Sequence, residues 1–325
     1  MCAIDFIERL SESAGGVPAL LERALEERWR KYRKVSSRCR EGFEEKSVHQ
    51  LRVETRRLLA LLDLLLALAP DEKQGGGRRV LKKSFNKLSR LRDTQVQLVY
   101  VEKLGLRFPG ASVFAGFLAR RERRLTRKLG KQLQHAGRVQ VKELAGTLRR
   151  MARAVRRRTT LWTRGEETLW TRVDEAFTRV AALRTHIDPG RPATLHRTRI
   201  AFKKFRYLAE LLQPLLPEMT DRHLEDMRRY QTLMGDVHDL EVLRDAIDKF
   251  SRKNGKAAPA LQAFRREIDR LHAGRVERYL KRADDLFRLW PRPKPQGQWP
   301  QRGMGMGLEA WVRVGLNEAV GAQRA

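Results

Sequence analysis

Leu195-His196-Arg197-Thr198-Arg199-Ile200-Ala201-Phe202-Lys203-Lys204-Phe205-Arg206-Tyr207 decides how the chain is read. Its apolar residues recur at helical spacing, which predicts an amphipathic helix over Leu195–Leu212. At about 100° per residue, His196, Arg199, Lys203 and Arg206 fall within roughly 80° of one another, with Tyr207 beside them. The result is a narrow cationic stripe with donors roughly every 5–6 Å along one helix face. A stable exposed helix would intersperse acids among such charges. Their absence from the stripe points to an anion as its partner.

The same pattern occurs 147 positions earlier. His49-Gln50-Leu51-Arg52-Val53-Glu54-Thr55-Arg56-Arg57 lies on His196 to Lys204 with the His, the Arg and the basic pair in register. Leu91-Arg92-Asp93 matches Val237-His238-Asp239 at an offset of 146, and Arg120-Arg121-Glu122 matches Arg265-Arg266-Glu267 at 145. Three ordered matches at a nearly constant offset indicate a duplicated helical unit. The two stripes persist while residues around them, such as Gln50 and Arg197 or Glu54 and Ala201, differ.

Apolar spacings of three and four continue outward from these stretches, and nothing reads as a sheet. Helices are predicted over Val17–Arg40, Val48–Leu68, Val80–Leu104, Phe114–Gln134, Val139–Leu161, Leu169–Thr185, His223–Phe250 and Pro259–Leu289. A short helix is predicted near Leu308–Val320. Gln74-Gly75-Gly76-Gly77 reads as a flexible link, and Asp188-Pro189-Gly190-Arg191-Pro192 as a strong breaker. Long helices with short connections imply antiparallel neighbours and an all-α protein. The expected organisation is two pseudo-symmetric antiparallel helical bundles, duplicated four-helix units at 1–165 and 166–289. A Pro/Gly-rich tail at 290–325 follows.

The composition agrees. The 325 residues carry 69 Lys+Arg against 39 Asp+Glu, a formal charge of +30, with 41% hydrophobic and 33% charged residues. That is globular composition, and a field of this size needs a polyanion or counterions to offset self-repulsion. Cys2 and Cys39 alone support neither a disulfide scaffold nor a cysteine zinc site. No signal peptide is visible in Met1–Phe6. The most apolar stretch, Leu58–Ala69, is shorter than the roughly 20 residues a bilayer needs. A cytoplasmic protein is expected, with no membrane span.

The stripes Val48-His49-x-x-Arg52-x-x-x-Arg56-Arg57 and Leu195-His196-x-x-Arg199-x-x-x-Lys203-Lys204-Phe205-Arg206-Tyr207, together with Leu233-Met234-Gly235-Asp236-x-His238-Asp239, resemble the CHAD family. The name stands for conserved histidine α-helical domain. The resemblance runs from about Val17 to Leu289. It implies two pseudo-symmetric four-helix bundles around a basic groove or channel, binding of inorganic polyphosphate, and location at polyphosphate granules. Two departures stand out: Leu59 replaces the cation found at Arg206, and Ser89 replaces Gly235. The first stripe is therefore expected to be one cation weaker.

Physical chemistry supports that implication. Polyphosphate carries about one negative charge per phosphate and no bases. Arg engages two of its oxygens at once, and Lys supplies a movable charge. Candidate binding residues are His49, Arg52, Arg56, Arg57, Lys82, Lys83 and Arg90 in the first copy. In the second they are His196, Arg199, Lys203, Lys204, Arg206, Tyr207, Arg229 and His238. Asp93 and Asp239 are read as supports that orient basic residues of the His-bearing helices. The block Arg120–Lys131 reads as general electrostatic field.

Neither metal nor cofactor is expected. The histidines form no His-Glu-x-x-His pattern, and cations flank His49 and His196. With no Gly-rich phosphate loop, nucleophile elbow or acid cluster for a divalent ion, a binder is favoured over an enzyme. The rival readings are a nucleic-acid-binding protein and a metal-dependent hydrolase of polyphosphate or phosphoanhydrides. Against the first, aromatics are 7%, and Trp29, Trp162 and Trp170 sit at spacings that suit cores better than base stacking. Nucleic acid is expected as the weaker competitor.

Overall fold

The computed structural model describes residues 16–68, 75–157, 163–215, 219–255 and 258–290. Every regular element among them is helical: α1 (Gly16–Gly42), α2 (Glu45–Leu68), α3 (Gly75–Gly105), α4 (Ala111–Arg157), α5 (Thr163–Thr185), α6 (Pro192–Leu212), α7 (Asp221–Lys253) and α8 (Ala258–Lys281). Short 3-10 turns occupy Gln213–Leu215 and Ala283–Arg288. The described residues within Met1–Leu169 and Asp239–Leu271 form one compact unit, and those within Trp170–His238 and His272–Ala325 the other. The sequence boundary near 165 follows the repeat. The packing boundary instead assigns 239–271 to the first unit.

In the first unit, α1 packs on α2 and α4, α2 on α3, and α3 on α4. Cys39, Phe43, Val48, Leu51, Leu88, Leu91 and Leu129, drawn from all four helices, form one buried cluster. A second cluster joins Leu98, Phe114 and Leu118 to Leu240, Leu243, Ile247 and Phe250 of α7 and to Leu261, Phe264 and Ile268 of α8.

The turn between α1 and α2 takes its left-handed residue at Phe43, φ 54°, and not at the preceding Gly42. The Phe43 amide donates to the Cys39 carbonyl at 2.9 Å, closing the helix end. Left-handed backbone costs a residue with Cβ roughly 1–2 kcal/mol. Burying the Phe43 ring, 6% exposed, returns about 1.5–3 kcal/mol.

Two sequence expectations are corrected here. Gly75–Gly77 is not a link but the first turn of α3; a Cβ at Gly77 would lie 2.8 Å from Thr147 Oγ1. The glycines admit a close approach of α3 to α4. Phe114–Gln134 and Val139–Leu161 are not two helices, because α4 runs unbroken through 47 residues. A lone Gly137 costs a helix only about 1 kcal/mol relative to Ala, and no proline supports it as a terminator.

In the second unit, Phe177, Phe202 and Phe205 are fully buried, with Tyr230 and Tyr279 beside them. The Phe205 and Trp290 rings meet edge to face at 5.4 Å, and Trp290 Nε1 donates to Asp174 Oδ1 at 2.7 Å. Trp290, read from sequence as the start of the tail, is thus packed inside this unit. The predicted helix at Leu308–Val320 lies outside the described residues. Tyr230 donates to the Ala283 carbonyl at 2.8 Å; burial, and then the Tyr279 hydroxyl, push its phenol far above the ordinary value.

The candidate polyanion faces

The first stripe lies on α2, one face of which packs on α3. His49 is exposed, and Arg52, Arg56 and Arg57 are half-buried. The Arg52 and Arg56 guanidinium carbons sit 5.4 and 4.8 Å from the centre of the Phe85 ring on α3. Arg57 Nη1 donates to Glu54 Oε1 at 2.6 Å, and Arg28 Nη1 lies 3.7 Å from Glu54 Oε2. A guanidinium drawn to a ring face by the cation–π attraction keeps N–H groups able to engage phosphate oxygens.

Lys82, Lys83 and Arg90 of α3 are exposed, and Lys87 is half-buried. Burial, followed by the charges of Lys83 and Lys128, holds the Lys87 ammonium below its ordinary pKa. Lys128 belongs to the α4 block that the sequence reading treated as general field. Charges from two helices therefore act on the one ammonium of Lys87, which sequence spacing along α3 could not reveal.

Arg92 was missed from sequence. It pairs with Glu45 at the start of α2. Burial pushes its guanidinium below the ordinary value, opposed by the charges of Asp239 and Asp93. Both aspartates named as supports thus act on this α3 arginine. Its signal was present in the repeat, since Arg92 matches His238 at the offset of 146.

In the second unit, α6 carries the other stripe. His196 Nδ1 lies 3.2 Å from His238 Nδ1 on α7, with ring centres 4.7 Å apart. A hydrogen bond at this contact requires one ring to donate and the other, neutral at Nδ1, to accept. Arg199 is half-buried, Lys203 is 9% exposed, and Lys204 is exposed. Arg206 is 5% exposed; its Nε donates to Gln231 Oε1 at 2.9 Å and its Nη1 to Glu210 Oε2 at 3.4 Å. Its guanidinium carbon also lies over the buried Tyr207 ring, 4.4 Å from its centre. Arg229 is exposed near Glu225 (3.7 Å) and Asp226 (3.5 Å).

The structure therefore brings together Arg52 with Arg56, His196 with His238, and Arg206 with Tyr207. It places His49, Lys82, Lys83, Arg90, Lys204 and Arg229 on exposed helix surface. A depression of about 460 Å³ lies apart from the α2 stripe, where α1 meets α2, lined by Glu44, Glu45, Gln95, Glu122, Arg123 and Arg127 among others. Among the described residues no group of three or more His, Cys, Asp or Glu is placed to share a metal ion. No helix among them is long and apolar enough to cross a membrane.

These features define an all-α protein whose paired helices carry lengthwise cationic stripes with a histidine at the head of each. A family model for the CHAD domain matches residues 23–248, and the chain belongs to that family. Its fold is similar to the crystal structure of the CHAD domain from the plant Ricinus communis: TM-score 0.61, 18% identity, 84% of this chain and 90% of that one. It is also similar to PptA from Streptomyces chartreusis: TM-score 0.52, 17% identity, 83% of this chain and 97% of that one. No curated protein matches.

Proposed function

We propose that the chain binds long-chain inorganic polyphosphate without catalysing its turnover, and that it locates to polyphosphate granules. The observation that carries this reading is the pair of guanidinium groups, Arg52 and Arg56, held over one aromatic ring. Lys87, whose ammonium feels the charges of Lys83 and Lys128, belongs to the same unit. Such a surface repels itself until an anion occupies it, and its donors discriminate by charge density, not by base shape. Family membership supports the reading, because polyphosphate binding is what the resemblance of the stripes implies.

Competition for one labelled probe at fixed salt tests it. Long polyphosphate is expected to outcompete equal phosphate concentrations of RNA and DNA, with affinity rising from triphosphate to long chains. Equal or tighter binding of nucleic acid would replace the reading with its rival. Binding is also expected without added divalent cation, and with no phosphate released over hours. Sustained release that disappears in an Asp93→Asn or Asp239→Asn variant would make the protein an enzyme.

A further inference from the structure

Phe85 and Gln231 occupy the same place in the two copies of the repeat, 146 positions apart, although their side chains share no chemistry. In the first unit the Phe85 ring lies under Arg52 and Arg56. In the second, Gln231 Oε1 accepts from Arg206 Nε at 2.9 Å. Each residue comes from the helix that follows the stripe, and each touches stripe guanidinium groups. We propose that in the first copy this repeat position is an orienting platform: Phe85 is a positioning residue that fixes the direction in which Arg52 and Arg56 present their N–H groups, whereas Gln231 at the matching position holds the buried Arg206.

The physical reason is entropic as well as electrostatic. A free Arg side chain loses considerable rotamer freedom when it is fixed on a ligand. A cation already held over a ring face has lost part of that freedom before the ligand arrives. One ring under two arginines also sets their mutual spacing, which a lysine or an unsupported arginine could not keep. Gln231 holds one arginine, the 5%-exposed Arg206, through a directional acceptor, and so serves packing in the second copy where Phe85 serves presentation in the first. The position escapes a sequence reading because an aromatic ring and an amide do not look like one another.

The consequence for binding rests on the polyphosphate reading; the orientation itself is tested separately. In NMR spectra of the full chain, the side-chain protons of Arg52 and Arg56 are expected to be shifted upfield by the ring current. They should stay so in Phe85→Tyr and move to solvent-like values in Phe85→Leu and Phe85→Met. In parallel, Phe85→Leu and Phe85→Met are expected to bind long polyphosphate roughly five- to tenfold more weakly. Phe85→Tyr should remain within about twofold of the parent, and all three should keep the parent melting temperature within a few degrees. Unshifted arginine protons in the parent, or parent-like affinity in both ring-less variants, would overturn the platform. Failure of the parent itself to bind polyphosphate would overturn the ligand reading, and the ring-current shifts would then decide the platform alone.

Discussion

Arg206 is 5% exposed and held by Gln231, Glu210 and the Tyr207 ring, whereas Lys204, two residues earlier, is exposed. The Glu210 side chain is 10% exposed, so Arg206→Met removes a cation from a buried carboxylate. Losing a hydrogen bond to a charged group costs roughly 1.5–3 kcal/mol, and urea unfolding should register a loss of that order. Lys204→Gln should keep or raise the melting temperature, because it removes one charge from a chain of net +30. A parent-like unfolding curve for Arg206→Met would mean that Arg206 is not part of the core. On the first stripe, changing Arg52, Arg56 and Arg57 to Gln together should weaken polyphosphate binding far more than the same changes at Arg120, Arg123 and Arg127. Each hydrogen bond to a charged group is worth roughly 1.5–3 kcal/mol, so the loss should exceed about a hundredfold even when the contacts are not additive. Equal losses from the two sets would reduce the protein to a diffuse polycation.

At the scale of helices, Lys87 gives pH effects of opposite sign on folding and on binding. Its pKa is lowered in the folded chain, so the unfolded chain holds the proton to higher pH. This group therefore makes stability rise as pH climbs from its folded pKa toward the ordinary lysine value. A bound polyanion favours the charged ammonium, so affinity should fall over the same window. Lys87→Gln should flatten both trends relative to the parent. A parent-like pH slope of affinity in that variant would remove Lys87 from the binding face. The helices themselves were legible because apolar residues recur at spacings of three and four, a pattern each segment carries alone. What was not legible lies between segments. Gly77 and Gly137 look alike as helix breakers, yet Gly77 serves the approach to Thr147 and Gly137 is simply tolerated inside α4. The stripes could be read because the His, the Arg and the basic pair keep their spacing and positive charge across the repeat, even though Arg56 and Arg57 become Lys203 and Lys204 and Leu59 stands opposite Arg206. Phe85 and Lys128 could not, since each matters through a side chain on another helix; Arg92 stood opposite His238 in the repeat, but its pairing with Glu45 on α2 did not show. Arg206 was legible as a cation but not as a buried one, because only its contacts with Gln231 and Glu210 reveal the burial.

For the whole chain, the charge of +30 sets how stability and binding respond to salt. Added salt should raise the melting temperature of the ligand-free protein, because screening relieves self-repulsion over a Debye length of about 8–10 Å. The same salt should weaken polyphosphate binding, because each phosphate contact releases a condensed counterion. By analogy with nucleic acids, a surface making six or more contacts loses about a thousandfold in affinity between 50 and 200 mM salt. The slope of log affinity against log salt then counts contacts, and each phosphate-contacting cation removed should lower it by about one. Arg52→Gln with Arg56→Gln should therefore lower the slope by about two. Phe85→Leu should weaken binding while leaving the slope unchanged, because it removes no charge. That difference separates a residue that contacts phosphate from one that orients the contact. Isothermal titration of long polyphosphate at four or five salt concentrations, on the parent and these variants, measures it. A parent slope near zero would mean that charge does not drive the association. A slope unchanged by loss of Arg52 and Arg56 would move the contacts off the α2 stripe.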